Sequence, residues 1–506
     1  MIRILREFNN VVIPGGHWTG NTFHRNHAAG PSLVRIGNKV HMYFRGVQQE
    51  HTSQIGVYTF NPYDQLVFDG HSWDNKNEDI NPIIVPGDTG FDSKACRAPC
   101  ATVMPVHDDV TGEDVNTVFL YYMGVYPDSE NQDEDLTRMM LVKSTDGRHF
   151  GAKTPIYGLP FHTPSVIAVA GTIYMVGGKN VGSDDDPQYR LRLWKSTDQT
   201  GVNFAGVKDP IVPLGNTGEW DSYSITGIRL FYSAPYMYAI YCASSSFKDY
   251  NEGIGLARVN MGDPPTITSN SQWEKYSGNP IMLRGAGGMH DEGGLWSPCF
   301  FMHNGQIHVF YEGVGEGAYL PGNQHSILVR DVSYGGYWQS GASTQYSYSS
   351  ILHGRVNIND LNAEWSKPHI SGSVHVKNVG TGKYLNMADT SAGAATLKGE
   401  PETLSLSIKG SGDAFARFQE PDHHRYLKIY GDSGERKVWR NLVSGTLTDD
   451  RMCDFLLYQV DNNIYKIQNR HSGLFLCPYA NGGEGDYVGQ ALDNGTNMTL
   501  WEITNV

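Results

Sequence analysis

The sequence is poor in charged residues and in long apolar runs, and each shortage narrows the classes of protein to which it can belong. Charged residues make up 18% of the 506 residues, and the formal net charge is −14. So acidic a chain has little with which to neutralise phosphates, and we expect no nucleic-acid partner. No apolar run approaches the roughly 18 residues of a membrane-spanning helix, so we expect no membrane span. The first residues, MIRILREFNN, lack the apolar stretch of a secretory signal. We therefore expect a secreted, extracellular protein if a signal has been removed, and a cytoplasmic protein otherwise.

Cysteine is also scarce, and its spacing excludes a common class of metal site. The six cysteines have no CxxC or Cys/His pattern typical of zinc, and they are Cys96, Cys100, Cys242, Cys299, Cys453 and Cys477. Buried thiols are ordinary small core residues, and this interpretation suits the first four. For Cys453 and Cys477 a disulfide in an oxidising compartment stays open as an alternative.

Glycine (58) and tyrosine (29) are plentiful, and they recur within a pattern that occurs five times. Each copy has small residues around an anchor, an apolar strand, a turn, and an aromatic strand that usually ends in Gly. The anchors are Pro31, Pro99, Pro164, Thr226 and Pro298, a period of roughly 62 to 72 residues. Three or four short strands per copy, with no helical pattern between them, are typical of a propeller blade. We predict an all-β chain with a five-bladed β-propeller over residues 1–368.

A shorter repeat fills residues 369–506 and predicts a second domain. An aromatic residue followed by Leu recurs three times at about 40-residue spacing, at Tyr384, Tyr426 and Phe475. Three such repeats predict a β-trefoil, and the last copy resembles a ricin-type lectin repeat. The resemblance implies a carbohydrate-binding domain, although the family's pocket Asp is replaced by Asn386, Lys428 or Cys477. The third copy keeps candidate sugar-binding residues, which are Tyr479, Gln490 and Asn494. The alternative is that these are core and turn residues of a spacer domain.

Polar segments precede the five inner strands of the propeller, and these segments share one face of the ring. Aromatic rings that stack on sugars, together with carboxylates for acid–base chemistry, are what a glycosidase needs. The candidate catalytic residues are Asp92, Asp221, Asp291, Glu292 and Glu312. The candidate substrate-binding residues are His24, His27, Arg97, His162, Trp220, His290 and Trp296. The alternative for the aromatic–Asp pairs is turn capping, because Asp bonds its own backbone two residues on.

The motifs GFDSKACRAP, YYMG, KSTDG and GEWDSYSITG resemble the five-bladed propellers of glycoside hydrolase families 43, 32, 62 and 130. The resemblance implies glycoside hydrolysis, with no required cofactor and, as in related propellers, a structural calcium ion in the channel. The family's acids stand next to the anchors. Here the residues before the anchors carry no carboxylate, and they are Gly30, Ala98, Thr163, Ile225 and Ser297.

Two functions follow from these observations. The first is a glycoside hydrolase that acts by inversion on a plant- or microbe-derived polysaccharide or oligosaccharide, including furanose polymers such as arabinan, with a carbohydrate-binding trefoil. The alternative is a non-catalytic, lectin-like propeller–trefoil protein that binds glycans. Either function makes a carbohydrate the partner, and the sequence leaves the oligomeric state open.

Overall fold

The structure is a computed structural model. It describes residues 1–13, 23–24, 27–49, 52–64, 73, 80–108, 111–128, 135–159, 162–183, 188–246, 251–286, 289–316, 347–356, 361–365, 369–387, 395–409, 413–420, 425–429, 438–442, 451–479, 482–483, 485–493 and 495–506. Within these residues the chain forms strands almost throughout, and none of the described helices is long and apolar enough to cross a membrane.

Five blades of antiparallel strands follow one another along the chain, and the first strand belongs to the last blade. That strand is β1 (Leu5–Ile13). Blade 1 contains β2 (His27–Ile36), β3 (Lys39–Gln49) and β4 (Thr52–Phe60). Blade 2 contains β5 (Ala95–Asp108), β6 (Glu113–Pro127), β7 (Asp135–Ser144) and β8 (Thr154–Ile156). Blade 3 contains β9 (His162–Val169), β10 (Thr172–Asn180), β11 (Tyr189–Ser196) and β12 (Phe204–Lys208).

The last two blades complete the ring. Blade 4 contains β13 (Ser224–Ser233), β14 (Tyr236–Ser244), β15 (Gly253–Asn260), β16 (Trp273–Lys275) and β17 (Met282–Leu283). Blade 5 contains β18 (Gly294–His303), β19 (Gln306–Glu316) and β20 (Ser347–Val356). Strand β1 pairs antiparallel with β20, so residues from both ends of the propeller build blade 5 and close the ring. The predictions of an all-β chain and of a five-bladed propeller are confirmed. The short helix α1 (Leu361–Trp365) follows blade 5.

The inner strand of each blade is interrupted where the repeat anchors lie. In blades 1, 2, 3 and 5 the register shifts at a β-bulge, and the residue before Pro has a positive φ. These residues are Gly30, Ala98, Thr163 and Ser297, with φ between 45° and 60°. A non-glycine residue in this region is strained by about 1–2 kcal/mol, and bulges re-aim a strand. Blade 4 has no anchor Pro, and its register shifts around Gly227 instead.

A single arginine from blade 4 lies at the axis of the ring. Arg229 Nε donates to the carbonyl of Pro31 (3.3 Å), Nη2 to that of Pro99 (3.1 Å), and Nη1 to that of Pro164 (3.0 Å). The guanidinium is buried, so it binds the anchors of blades 1, 2 and 3 together away from water. Below it, a cavity of about 240 Å³ is lined mostly by inner-strand residues, including Leu33, Val103 and Phe231.

The C-terminal domain is a closed six-stranded barrel that carries three two-stranded hairpins. Its first half contains β21 (Gly372–Asn378), β22 (Tyr384–Asn386), β23 (Thr396–Lys398), β24 (Leu404–Ile408), β25 (Ala416–Glu420) and β26 (Arg425–Ile429). Its second half contains β27 (Val438–Leu442), β28 (Phe455–Asp461), β29 (Ile464–Asn469), β30 (Phe475–Pro478), β31 (Val488–Ala491) and β32 (Leu500–Asn505). The barrel closes in the order β21–β24–β25–β28–β29–β32, with β32 returning to β21. The hairpins β22–β23, β26–β27 and β30–β31 extend from β21, β25 and β29.

The barrel packs tightly on blade 4 and shares a hydrophobic core with it. Phe415, Leu456 and Tyr458 of the barrel belong to the same buried cluster as Trp220 and Leu283 of the propeller. Backbone contacts cross the same boundary: Ala414 N donates to the carbonyl of Asn279 at 2.8 Å. The two domains therefore cover apolar surface on each other.

Charged groups are buried in this interface as a network. Arg470 of the barrel pairs with Glu252 of the propeller and with Asp454, 3.2 Å away. Asp413 accepts a hydrogen bond from the backbone N–H of Trp220 (3.1 Å). Burial raises the pKa of Asp413 to about 7, against the opposing effect of Arg470. Burial also favours protonation of Glu252, but Arg470 outweighs it and lowers the pKa of Glu252.

We predict that Arg229→Met destabilises the propeller by at least about 3 kcal/mol, because three buried carbonyls lose a charged donor. Urea unfolding measures the loss as a lower midpoint. Arg35→Met is the matched control, since the Arg35 guanidinium bonds exposed groups, the carbonyl of Gly37 and the Tyr63 hydroxyl. Equal midpoints for the two variants would show that the axial contacts add nothing.

We predict that Arg470→Met lowers the free energy of unfolding by about 3–5 kcal/mol at neutral pH, because buried carboxylates lose their cation. Unpaired buried carboxylates take up protons, so the difference from wild type should shrink as the pH falls from 8 to 5. Arg192→Met, which breaks a partly exposed pair with Asp209, should cost at most about 1 kcal/mol. A pH-independent difference would contradict this account.

Candidate functional site

The bulges define one ring of equivalent positions at the mouth of the propeller channel. The residue that immediately precedes each bulge is the last one in register with the second strand. These five residues, which we call the mouth ring, are Ala29, Arg97, His162, Thr226 and Trp296. Three predicted binding residues, Arg97, His162 and Trp296, therefore occupy the same position in three different blades. The side chain of His162 lies outside the described residues.

Each mouth-ring residue faces a partner on the second strand of its blade. The partners are Arg45, Met123, Gly178, Cys242 and Glu312. Glu312 is the single carboxylate among these five partners, and it lies directly opposite Trp296. The mouth thus places an acid beside a partly exposed indole.

Glu312 also helps to hold the ring together. Its carboxylate accepts the backbone N–H of Gly30 at 3.1 Å, which joins blade 5 to blade 1. The equivalent Met123 accepts the N–H of Thr163 at 3.3 Å through sulfur, which joins blade 2 to blade 3. The position therefore has a structural use in more than one sequence context, and a carboxylate is not needed for it. The contact between blades therefore does not explain why blade 5 has a carboxylate at this position.

Two neutral polar groups complete the described mouth on the side of blade 4. The Thr226 hydroxyl donates to the side-chain oxygen of Asn251 at 2.7 Å. Asn251 is buried, and its Nδ2 has no hydrogen-bond partner among the described residues. The next residue is Glu252, which pairs with Arg470 of the barrel. The sequence predicts Thr226 as a repeat anchor and not as a site residue, and it gives no signal for Asn251, which stands in no recognisable motif.

Three of the predicted catalytic acids lie in buried ion pairs within their own blades. Asp92 accepts hydrogen bonds from Tyr122 (2.9 Å) and Lys153 (2.6 Å). Asp221 accepts them from Tyr241 (3.2 Å) and Lys275 (2.7 Å).

Asp291 repeats the arrangement with Tyr311 (3.2 Å) and Arg6 (2.9 Å). All three carboxylates are at most 3% exposed. Each aspartate thus bonds a tyrosine on the second strand of its blade and a cationic side chain. That cationic side chain lies on a strand nearer the outer edge of the blade, or in the segment that follows such a strand. The structure does not bring these acids together, and it favours a structural role for them over the predicted catalytic one.

Burial raises the pKa of Asp221, even though the Lys275 ammonium and the Tyr241 hydroxyl oppose the shift. The carboxylate is 1% exposed, so a sugar in the channel does not reach it.

Trp220 lies in the hydrophobic core. Its side chain is fully buried and stacks on Tyr241, with ring centroids 5.6 Å apart and an interplanar angle of 21°. The ring is part of the core that blade 4 shares with the barrel, and this placement favours a structural role over the predicted substrate-binding role.

The described histidines are largely enclosed. His24 Nε2 lies 3.0 Å from the Tyr58 hydroxyl, and the ring packs on Phe44. Burial, with Arg45 as a second cause, holds the pKa of His27 well below its usual value. Burial lowers the pKa of His290 as well, against the attraction of Asp291. His24 and His27 are buried and His290 is half-buried, so the side chains give little surface to a ligand.

Glu292 is half-buried in the turn that leads into β18, four residues before Trp296. Its backbone N–H donates to the carbonyl of Met289 at 3.3 Å. Of the five predicted acids, Glu292 and Glu312 are the two on blade 5 that do not take part in the repeated Asp–Tyr–cation arrangement.

A metal site is not formed by the described side chains alone, because they contain no group of three or more His, Cys, Asp or Glu residues placed to hold an ion. The predicted calcium ion in the channel stays a prediction. At the axis of the propeller, the described residues place the guanidinium of Arg229. It binds backbone carbonyl oxygens, and calcium also prefers such oxygens as ligands. In the sequence, the feature that could have indicated this axial cation is the single arginine, Arg229, within the apolar strand ITGIRLFYS.

Two of the three predicted lectin residues, Tyr479 and Gln490, lie at the hairpin β30–β31. Tyr479 is 42% exposed directly after β30. Gln490 is buried, and its side-chain oxygen accepts the Ser472 hydroxyl at 2.7 Å. Asn494 lies outside the described residues. Cys477 pairs with Gly489 in this hairpin, and the six cysteines are reduced thiols, so the disulfide alternative for Cys453 and Cys477 is not formed.

We predict that Asp92→Asn and Asp221→Asn each destabilise the fold by about 1–3 kcal/mol, because a partly exposed lysine loses its counter-charge and a buried tyrosine hydroxyl loses a charged acceptor. Double-mutant cycles with Lys153→Met and Lys275→Met should show coupling within each pair. Asp114→Asn, at an exposed pair with His107, is the control and should change stability by less than about 1 kcal/mol. Unchanged stability together with lost turnover would return these acids to a catalytic role.

Comparisons with known proteins leave the family open. No protein-family model matches this chain, and no curated protein matches it. Among solved structures, the exo-β-1,3-galactanase 1,3Gal43A from Clostridium thermocellum is similar at 14% identity over 95% of this chain and 96% of its own, with a TM-score of 0.37. An N-acetylgalactosamine deacetylase from F. plautii, in complex with blood group B trisaccharide, shares 12% identity over 70% of this chain and 96% of its own, with a TM-score of 0.47. A GH43 β-1,3-galactosidase shares 8% identity over 99% of this chain and 94% of its own, with a TM-score of 0.37. Identities and TM-scores this low assign neither a family nor an activity to this chain.

Proposed function

We propose that the propeller is a glycoside hydrolase whose substrate binds at the mouth ring, and that the barrel is a ricin-type β-trefoil that binds carbohydrate. The observation that carries the first proposal is the pairing of Glu312 with Trp296 across two adjacent strands at the mouth. An indole face stacks on the apolar face of a sugar ring, and a neighbouring carboxylic acid protonates a glycosidic oxygen.

Glu312 is the proposed general acid, and Glu292 is the proposed base. The acid catalyst must carry a proton at the start of the reaction, whereas the base must be ionised. Glu312 is 9% exposed and accepts one backbone N–H. Glu292 lies nearer the solvent, in the turn before Trp296. In an inverting reaction the base activates a water molecule, which requires a carboxyl separation of roughly 6.5–9.5 Å. The proposed substrate remains a plant- or microbe-derived polysaccharide or oligosaccharide, including furanose polymers such as arabinan.

The barrel is proposed to raise the local concentration of a polymeric substrate at the propeller. The β-trefoil part of the proposal is supported by a group of four strands that occurs three times and by the six-stranded closure of the barrel. Tyr479, as an exposed aromatic side chain on the third hairpin, is the proposed sugar platform. The third repeat has Cys477 where the family has its pocket Asp, so binding measurements must identify the other sugar-binding residues of this hairpin.

A second candidate function is a non-catalytic glycan-binding protein. The specific observation in its favour is that Asp92, Asp221 and Asp291 are all held in buried structural pairs. Binding of a glycan by wild type, without release of sugar from arabinan, galactan, fructan or mannan, would select this function.

We predict that Glu312→Gln and Glu292→Gln each reduce kcat by roughly 10²–10⁴-fold with little change in KM. The side-chain amide introduced by Glu312→Gln retains an oxygen that accepts the Gly30 N–H, so this variant should fold normally. Release of reducing sugar from the four polysaccharides measures the effect, and Glu113→Gln, at an exposed hairpin on β6, is the control. Full turnover in both folded variants would exclude this pair as the catalytic acids.

A further inference from the structure

We infer that the glycan bound at the mouth ring carries one anionic group, a uronic acid carboxylate or a sulfate ester, and that Arg97 binds this group. The inference rests on the proposed function, because it assigns the chemical class of the ligand at the same site.

Arg97 is placed at the mouth by the fold. It lies on β5 in the mouth ring, directly before the bulge at Ala98 and opposite Met123. Its side chain is half-buried. The Nε atom is inaccessible to water and has no hydrogen-bond partner among the described residues. A buried N–H donor without an acceptor costs about 1–3 kcal/mol, and more when it belongs to a charged group.

The protein offers Arg97 no dedicated counter-charge among its described residues. The carboxylate that acts on it is Asp135, which bonds the Lys94 ammonium at 2.6 Å. Burial lowers the pKa of Arg97, and the attraction of Asp135 does not offset it. An anionic group on a bound ligand would supply the counter-charge that these residues do not dedicate to Arg97.

Two other arginines, Arg229 and Arg470, have guanidinium groups that are buried and matched by several acceptors. Arg229 donates to the carbonyls of three blades, and Arg470 pairs with two carboxylates. Arg97 has neither arrangement. A guanidinium binds carboxylate or sulfate oxygens through two parallel N–H bonds, so its planar shape and its charge both suit these ligands.

The rest of the mouth ring agrees with an anion at Arg97. Asn251 adds a second donor without a described partner, beside Thr226 of blade 4. Glu312, the carboxylate of the partner positions, is on blade 5 and bonds to blade 1. Blade 1 therefore separates the acid at Glu312 from Arg97 on blade 2, so an anionic ligand group at Arg97 is not adjacent to Glu312.

The overall charge limits the number of anionic groups. The chain carries a net charge of −14, which repels a polyanion at long range. Arg97 is the one arginine among the five mouth-ring residues, and this suits a glycan with one anionic residue among neutral ones.

The test uses an array of oligosaccharides in matched pairs, each neutral member having counterparts that carry one glucuronate, one galacturonate or one sulfate. For wild type we expect the acidic members to bind roughly tenfold or more tightly than the neutral ones, which corresponds to about 1.4 kcal/mol. The uronate and sulfate arms distinguish the two sources of charge. Arg97→Met should abolish the preference, so that the ratio of the affinities of the acidic and neutral members of each matched pair falls to about 1.

Two variants control this test. Arg35→Met removes an arginine that lines the cavity below Arg229, away from the mouth, and should keep the preference. Arg97→Lys keeps the charge but loses the planar fork, and an intermediate preference is expected even if Arg97→Met does not fold. Equal binding of neutral and acidic members would overturn the inference while the proposed function stands. Absence of both binding and hydrolysis for every pair would overturn both.

Discussion

The guanidinium of Arg229 at the propeller axis is the contact on which the rest of the ring depends. It binds the carbonyls of Pro31, Pro99 and Pro164, which belong to three blades. Those carbonyls reach the axis because each inner strand bulges at a residue with positive φ just before the proline. The strain at Ala98 and Thr163 is therefore tolerated for an architectural reason. The same bulges end the regular pairing, and so they also determine where the mouth of the channel begins.

The polar side chains of the propeller fall into two sets that differ in burial. Asp92, Asp221 and Asp291 lie inside their blades, where each joins a tyrosine to a cation. The mouth ring holds partly exposed groups instead, and Arg97 and Trp296 are the largest of them with described side chains. Glu312 stands between the two classes, because it joins neighbouring blades and also faces the indole of Trp296. This double position is why it remains the strongest candidate for an acid.

The barrel is connected to this mouth through two consecutive residues. Asn251 accepts a hydrogen bond from Thr226 of the mouth ring, while Glu252 pairs with Arg470 of the barrel. The charged interface between propeller and barrel therefore includes Glu252, and the residue next to it in the chain, Asn251, contacts the mouth ring. Asp413, with a pKa of about 7, lies in the same network. The interface and the site are consequently parts of one packed structure rather than two separate modules.

The sequence by itself determined the repeat, the blade count and the equivalent positions of Arg97, His162 and Trp296, because these follow from local spacing between strands. It also included Glu312 among the candidate acids. Only the tertiary structure decided which acids are enclosed, since the cations that pair with Asp92, Asp221 and Asp291 are 61, 54 and 285 residues away in the chain. The burial of Trp220 and the place of Arg229 on the axis depend likewise on distant segments. A repeating pattern predicts neighbours within a blade, whereas burial and ion pairing depend on what the other blades and the barrel bring to the same point.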